Sequence, residues 1–122
     1  MNIKDICDEW LNAVENSVRS AEGDNHWTID YVIDLCLDEK HEELWEVIKY
    51  LYPKQMKRRT FANLAAGPMK ELLSIAGSRY IDEIEALANK DNRFGKLLGG
   101  VWRSDIEESV WVRVKTVRDT AW

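Results

Sequence analysis

Asp30, Asp34 and Asp38 recur at every fourth position, the step that sets side chains in one row along a helix. Glu39, Glu42, Glu43 and Glu46 carry the acid onward, so residues 30 to 46 hold seven acids against Lys40 alone. Carboxylates in such number can hold a divalent metal, do acid–base catalysis, or dock a cationic surface. A hard cation needs oxygen ligands converging from several directions, whereas carboxylates along one straight helix diverge, so no metal site is expected. Catalysis needs converging carboxylates with at least one pKa displaced by burial, and nothing in the spacing brings two of them together. Two readings of the row stand. One is a solvated face that keeps the protein soluble. The other is a docking ridge for a basic protein surface, where complementary charge speeds encounter and rejects wrong partners. Like charges at this spacing cost about 0.2–0.5 kcal/mol per pair, and a purely solubilising face has no reason to avoid mixed signs, which gives the ridge its weight.

Other reactive residues offer less. His41 and Glu42 begin like the zinc-protease pattern HExxH, but Trp45 stands where the second histidine must be. His26, beside Trp27 in a glycine-containing turn, reads as a surface or hinge residue. Cys7 and Cys36 fall on apolar helix faces without a CxxC spacing or a basic neighbour, the pattern of two inert buried thiols in a reducing compartment. No serine triad pattern is present, and Gly99-Gly100 lacks the Lys and Ser/Thr of a phosphate loop. The basic stretch Lys54 to Arg59 has no interleaved aromatics for base stacking and reads as solvated or paired within the fold, against the acidic ridge. Of six tryptophans, Trp10, Trp45 and Trp111 sit on or beside apolar stripes, whereas Trp27, Trp102 and Trp122 lie near breaks and are the better candidates to anchor a partner.

The elements that must position these residues belong to one domain, residues 1–122. The formal charge of −5 is unevenly laid out. Residues 1–46 carry 13 acids and 3 bases, residues 47–60 carry five bases and no acid, and the remainder is balanced. This argues against nucleic acid as the main ligand. No apolar run reaches the length of a membrane span, and acids stand where a secretory signal needs basic and then apolar residues, so a cytoplasmic protein is expected. No cofactor is implied.

Apolar residues at steps of three and four place a first helix from about Ile3 to Ser20, with Glu15 and Arg19 paired on its wet side. After a turn over 21–27, Thr28 can cap a second helix with Ile29, Val32, Ile33, Cys36 and Leu37 inward and Tyr31 and Leu35 widening the arc. A third runs from near Lys40 with Leu44, Trp45, Ile48, Leu51 and Tyr52 inward, and Pro53 blocks its continuation. A fourth, with Met56, Phe61, Leu64 and Ala65, is expected to stop at Gly67. Pro68 opens a fifth that stops at Gly77, Ser78 opens a sixth, and Asp91 caps a seventh that ends at Gly99 and Gly100. Residues 106–118 are open between helix and strand. The Ser104/Glu107 capping-box spacing and acids preceding bases favour helix, while alternating Val110, Val112 and Val114 suit a strand with no second strand to pair with. The expected fold is all-α, a single domain of about seven or eight short helices stacked as antiparallel pairs. Solenoid repeats are possible, but no sequence period is strong enough to claim them.

Leu64 to Pro68 (LAAGP), Asp91 to Trp102 (D-x-R-F-x-x-x-L-G-G-V-W) and the nearby Val110-Trp111 pair resemble elements of an uncharacterised family of small, Trp-rich, helical bacterial proteins. The resemblance spans residues 61 to 112 and implies no activity or catalytic residues. Its motifs read as fold elements, with Gly67, Gly99 and Gly100 as helix stops and Phe94 and Trp102 as packing. In size and charge the chain is similar, by analogy only, to immunity proteins that neutralise delivered toxins, including those of contact-dependent growth inhibition. The expected function is accordingly an immunity or antitoxin protein, a monomer that occludes a basic toxin domain, such as a nuclease, one to one. Its partner-binding residues would be Asp30, Asp34, Asp38, Glu39, Glu42, Glu43, Glu46, Trp27 and Trp102. A non-catalytic helical adaptor for a host protein is the alternative. An enzyme is third, and Asp82 or Glu85 buried near Arg103 in a deep cleft would promote it.

Overall fold

Apolar side chains at helical spacing wind the chain into rods whose inward stripes meet in one core. The structure, a computed structural model, describes residues 2–15, 27–103 and 105–118. Among them every regular element is helical: α1 (Ile3–Glu15), α2 (Trp27–Leu37), α3 (His41–Leu51), α4 (Arg58–Leu64), a π turn (Ala65–Met69), α5 (Lys70–Lys90), α6 (Asn92–Gly99) and α7 (Glu108–Val117). The expected end of the first helix with Val18 and Arg19, the turn through His26, the Ile29 side chain, Ser104 and Trp122 lie outside the described residues. The fold is all-α, and residues 108–117 are helix rather than strand. No helix among the described residues is long and apolar enough to cross a membrane.

Of two expected helix stops, one is absent and the other is displaced by one residue. Gly67 and Pro68 lie inside a π turn that joins α4 to α5 without a break. Proline has no N–H to donate, and in an α-helix its ring collides with the carbonyl four residues back. The wider turn, closed by Lys70 N–H on the Ala65 carbonyl, accommodates Pro68 and keeps the rod going. At Gly77 the expected stop takes the form of a kink. The chain kinks one residue earlier, at Ala76 (φ −145°, ψ 24°), shortly after the Ser74 hydroxyl donates to the Lys70 carbonyl at 3.0 Å. Gly77 instead gives α7 room: a Cβ there would lie 2.9 Å from Val110 Cγ1. Because α4, the π turn and α5 run on without a gap, bent at Ala76, the described residues hold fewer continuous helical segments than the seven or eight helices expected. Thr28 lies within the first turn of α2 rather than ahead of it, and Glu107, not a residue three positions earlier, stands at the N-cap of α7.

Side-chain bonds set the register between rods. Asp8 accepts from the Tyr50 hydroxyl at 3.0 Å, and Glu15 accepts from the Lys57 N–H at 2.7 Å and the Thr60 hydroxyl at 2.8 Å. His41 Nδ1 meets the Tyr80 hydroxyl at 2.9 Å, Trp45 Nε1–H donates to Glu83 at 2.8 Å, and the Tyr52 hydroxyl donates to Asp91 at 2.7 Å. Both partners advance together along the chain in each series. Thus α1, α3 and the second half of α5 lie side by side and run in the same direction, and α2, hairpinned to α3 through residues 38–40, is the return limb. Alternate rods running the same way about a return limb are the arrangement that stacked antiparallel pairs produce. Leu44, Ile48, Leu51, Leu72, Ile84 and Phe94 are fully buried between these rods.

Candidate functional site

One side of α2 packs on α1, α3 and the π turn, burying Thr28, Val32 and Leu35. Its other side faces solvent over the whole length of the helix. Asp30, Asp34 and Asp38 stand there in a row, as their spacing demands, and all three are exposed. Beside them stand side chains that the sequence placed inward. Ile33 is 44% and Leu37 is 74% exposed. The correction has a simple cause: the apolar arc of α2 is wider than the surface its neighbours offer. Trp27, at the start of the same face, is 47% exposed, as its position near a break implied.

At the end of α2 the face turns toward α3. Glu39 adopts φ 54°, the Glu39 N–H reaches the Cys36 carbonyl at 3.3 Å, and the Lys40 N–H reaches the Leu35 carbonyl at 2.9 Å. These are the two bonds that close a helix through a left-handed residue. The acidic surface then continues through Glu43. Burial raises the Tyr31 phenol above its ordinary pKa, and the Glu43 charge raises it further. Among the described residues, no cation stands within ion-pair distance of Asp30, Asp34, Asp38, Glu39 or Glu43.

Glu42 and Glu46 have a different setting. They rim an open groove of about 490 Å³ between α3 and α5, lined also by Ile3, Glu43, Trp45, Lys49, Arg79, Tyr80 and Glu83. Arg79 pairs with Glu42 at 3.0 Å and Lys49 with Glu46 at 2.9 Å. The same two cations sit over the floor, Lys49 at 5.3 Å from the Trp45 ring and Arg79 at 5.7 Å from that of Tyr80. Glu83 takes the indole N–H of Trp45. Folding therefore splits the predicted ridge: among the described residues the α2 row, Glu39 and Glu43 have no ion-pair partner, while Glu42 and Glu46 are neutralised locally. Lys49 could have been found in the sequence, three residues after Glu46, but Arg79 comes from 37 residues away.

Other expectations resolve as follows. The basic stretch does pair within the fold, but with the acids of α1 and not with the ridge: Lys54 lies 3.5 Å from Asp8, and Lys57 Nζ donates to the Glu15 carbonyl at 3.0 Å. Trp102 does not pack. It is 74% exposed in the connection after α6, an element that packs on α5, α4 and the π turn. Asp82 and Glu85 both meet Arg113, not Arg103, and Asp82 is exposed. Burial pushes the Cys7 and Cys36 thiols up to about 11, so neither offers a thiolate at neutral pH. Among the described residues no three His, Cys, Asp or Glu side chains are grouped to hold a metal ion.

Asp91 and Arg93, in the D-x-R-F element, form a clamp. The Asp91 carboxylate accepts from the Arg93 N–H at 3.0 Å and caps α6, while Arg93 donates to the Tyr52 and Lys54 carbonyls at 2.5 and 2.7 Å, just past the end of α3. Phe94 is fully buried between Trp45 and Tyr52.

Residues 15–122 match a family described only as one of unknown function (DUF6869). The match begins well before residue 61, so the acidic face of α2 and α3 lies inside the family region and not ahead of it. Nothing among the curated proteins and no solved structure matches the chain.

Proposed function

We propose, from the premise that this chain belongs to that family of unknown function, that it is a non-catalytic binding protein for a basic protein and that the outer face of α2 is its contact surface. One observation carries the reading: Asp30, Asp34 and Asp38 lack cation partners among the described residues and stand beside the exposed Ile33 and Leu37. Each half supplies what the other lacks. Rim carboxylates accelerate encounter and reject acidic surfaces but add little affinity, whereas apolar side chains at the centre of a contact give affinity without choosing the partner. Glu39 and Glu43 extend the charge at one end and Trp27 offers an aromatic anchor at the other. Glu42 and Glu46, paired with Arg79 and Lys49, are peripheral.

In its sharper form the proposal is that of an immunity protein in the cytoplasm. The partner would be a toxin domain such as a nuclease, whose lysines and arginines are covered by α2 before they can hold substrate phosphates. The adaptor reading uses the same face for a harmless host protein. Tagged protein expressed in its own host, together with the neighbouring genes, decides between them. A single basic partner, retained at low salt and lost with Asp34→Lys, is expected. If that partner alone arrests growth and co-expression restores it, the immunity form stands; a partner harmless alone leaves the adaptor. An acidic partner, or one indifferent to Asp34→Lys and Glu43→Lys, would sink both.

A further inference from the structure

The α2 face specifies more about its occupant than charge. We infer that it receives an α-helix of the basic partner, laid along α2 so that Lys or Arg at four-residue spacing meets Asp30, Asp34 and Asp38 while apolar side chains cover Ile33 and Leu37. The inference rests on the binding reading above and narrows it. Asp30, Asp34 and Asp38 form one row and Ile33 and Leu37 a second, both with a four-residue repeat of about 6 Å, and the face from Trp27 to Asp38 is about three turns long. A partner helix repeats its own side chains at the same step and satisfies its backbone hydrogen bonds internally. An extended strand on this face would turn backbone carbonyls toward carboxylates, and α2 has no free backbone groups along its length to pair with it. A second copy of this chain is the wrong occupant, because α2 against α2 would bring the two aspartate rows together with no cation between them.

The test uses the full chain and two synthetic peptides of about 15 residues, built from the same leucines and lysines. One places them in two adjacent four-residue rows on one side of the helix and the other shuffles them to abolish the rows. Calorimetric titration at about 0.15 M salt is expected to give one-to-one binding of the first peptide, which gains helicity on binding, and binding of the shuffled peptide weaker by about tenfold. Asp34→Lys and Leu37→Ser should each weaken the first peptide by about tenfold, while Glu108→Lys, the same charge change on exposed α7, should leave it within about twofold. Equal binding of both peptides would overturn the helix while leaving a basic partner in place, provided Asp34→Lys still weakens them. Loss of binding in Glu108→Lys as large as in Asp34→Lys would reduce the effect to general attraction and overturn the site. No binding of the first peptide, or self-association of the chain that Leu37→Ser abolishes, would overturn the inference outright.

Discussion

Glu39 holds a backbone angle that residues with a Cβ adopt at a cost of about 1–2 kcal/mol, and glycine adopts freely. The strain persists because the residue closes α2 through the Cys36 and Leu35 carbonyls and turns the chain directly into α3. A glycine at this position would serve the turn better, so the glutamate there costs local stability. It adds charge where the acidic face passes from α2 to α3. Replacing it separates the two. Glu39→Gly is expected to raise stability by about 0.5–1 kcal/mol in urea unfolding and to weaken the basic partner's binding only slightly, because Glu39 stands at the edge of the face. A drop in stability would mean that the Glu39 side chain makes a contact that matters more than the backbone strain.

Within α5 the kink at Ala76 and the bare Cα of Gly77 let α7 approach closely. Alanine at position 77 would gain up to about 1 kcal/mol of helix propensity but would drive its Cβ into Val110, a stiff β-branched side chain that is itself buried. Overpacking of this kind costs about 1–3 kcal/mol, so Gly77→Ala is expected to lower the urea midpoint, and the loss should vanish when Val110→Ala is already present. Neutral behaviour of the single variant would show that α7 yields without cost. The same position explains where the sequence was legible and where it was not. Apolar spacing located every helix except α7, which it left open between helix and strand, and the Asp91 cap and the Pro53 stop act as their chemistry requires. Gly67, Pro68 and Gly77 have the residue types of helix ends, but the choice between ending, bulging and kinking was made by what packs there, and Val110 lies 33 residues further on. For the same reason the width of the apolar arc on α2 was readable, while the shortage of neighbours that leaves Ile33 and Leu37 exposed was not.

Across the whole molecule, three of the carboxylates that fasten separate rods are held below the ordinary carboxylate range. At Glu85 the hydrogen bond from Arg113 joins α5 to α7. At Asp91 the Tyr52 hydroxyl leads, with the Arg93 and Phe94 amides, and joins α3 to α6. At Glu15 burial opposes the charge, but the Lys57 amide, the Thr60 hydroxyl and the Lys57 and Arg59 charges outweigh it and join α1 to the start of α4. Because each folded pKa lies below its unfolded value of about 4, the unfolded chain takes up these protons first as pH falls. Their stabilisation is therefore complete above that value and is lost as pH falls through the folded values, which predicts a urea midpoint that is flat from neutral pH to about pH 5 and declines steeply below it. The variant Glu15→Gln, Glu85→Gln and Asp91→Asn should be less stable at neutral pH and should decline less steeply in acid. These residues lie away from the α2 face, so its binding of a basic partner at neutral pH should survive the triple change. A decline in acid as steep as the parent's would show that other carboxylates, and not these fastenings between rods, govern the acid limb.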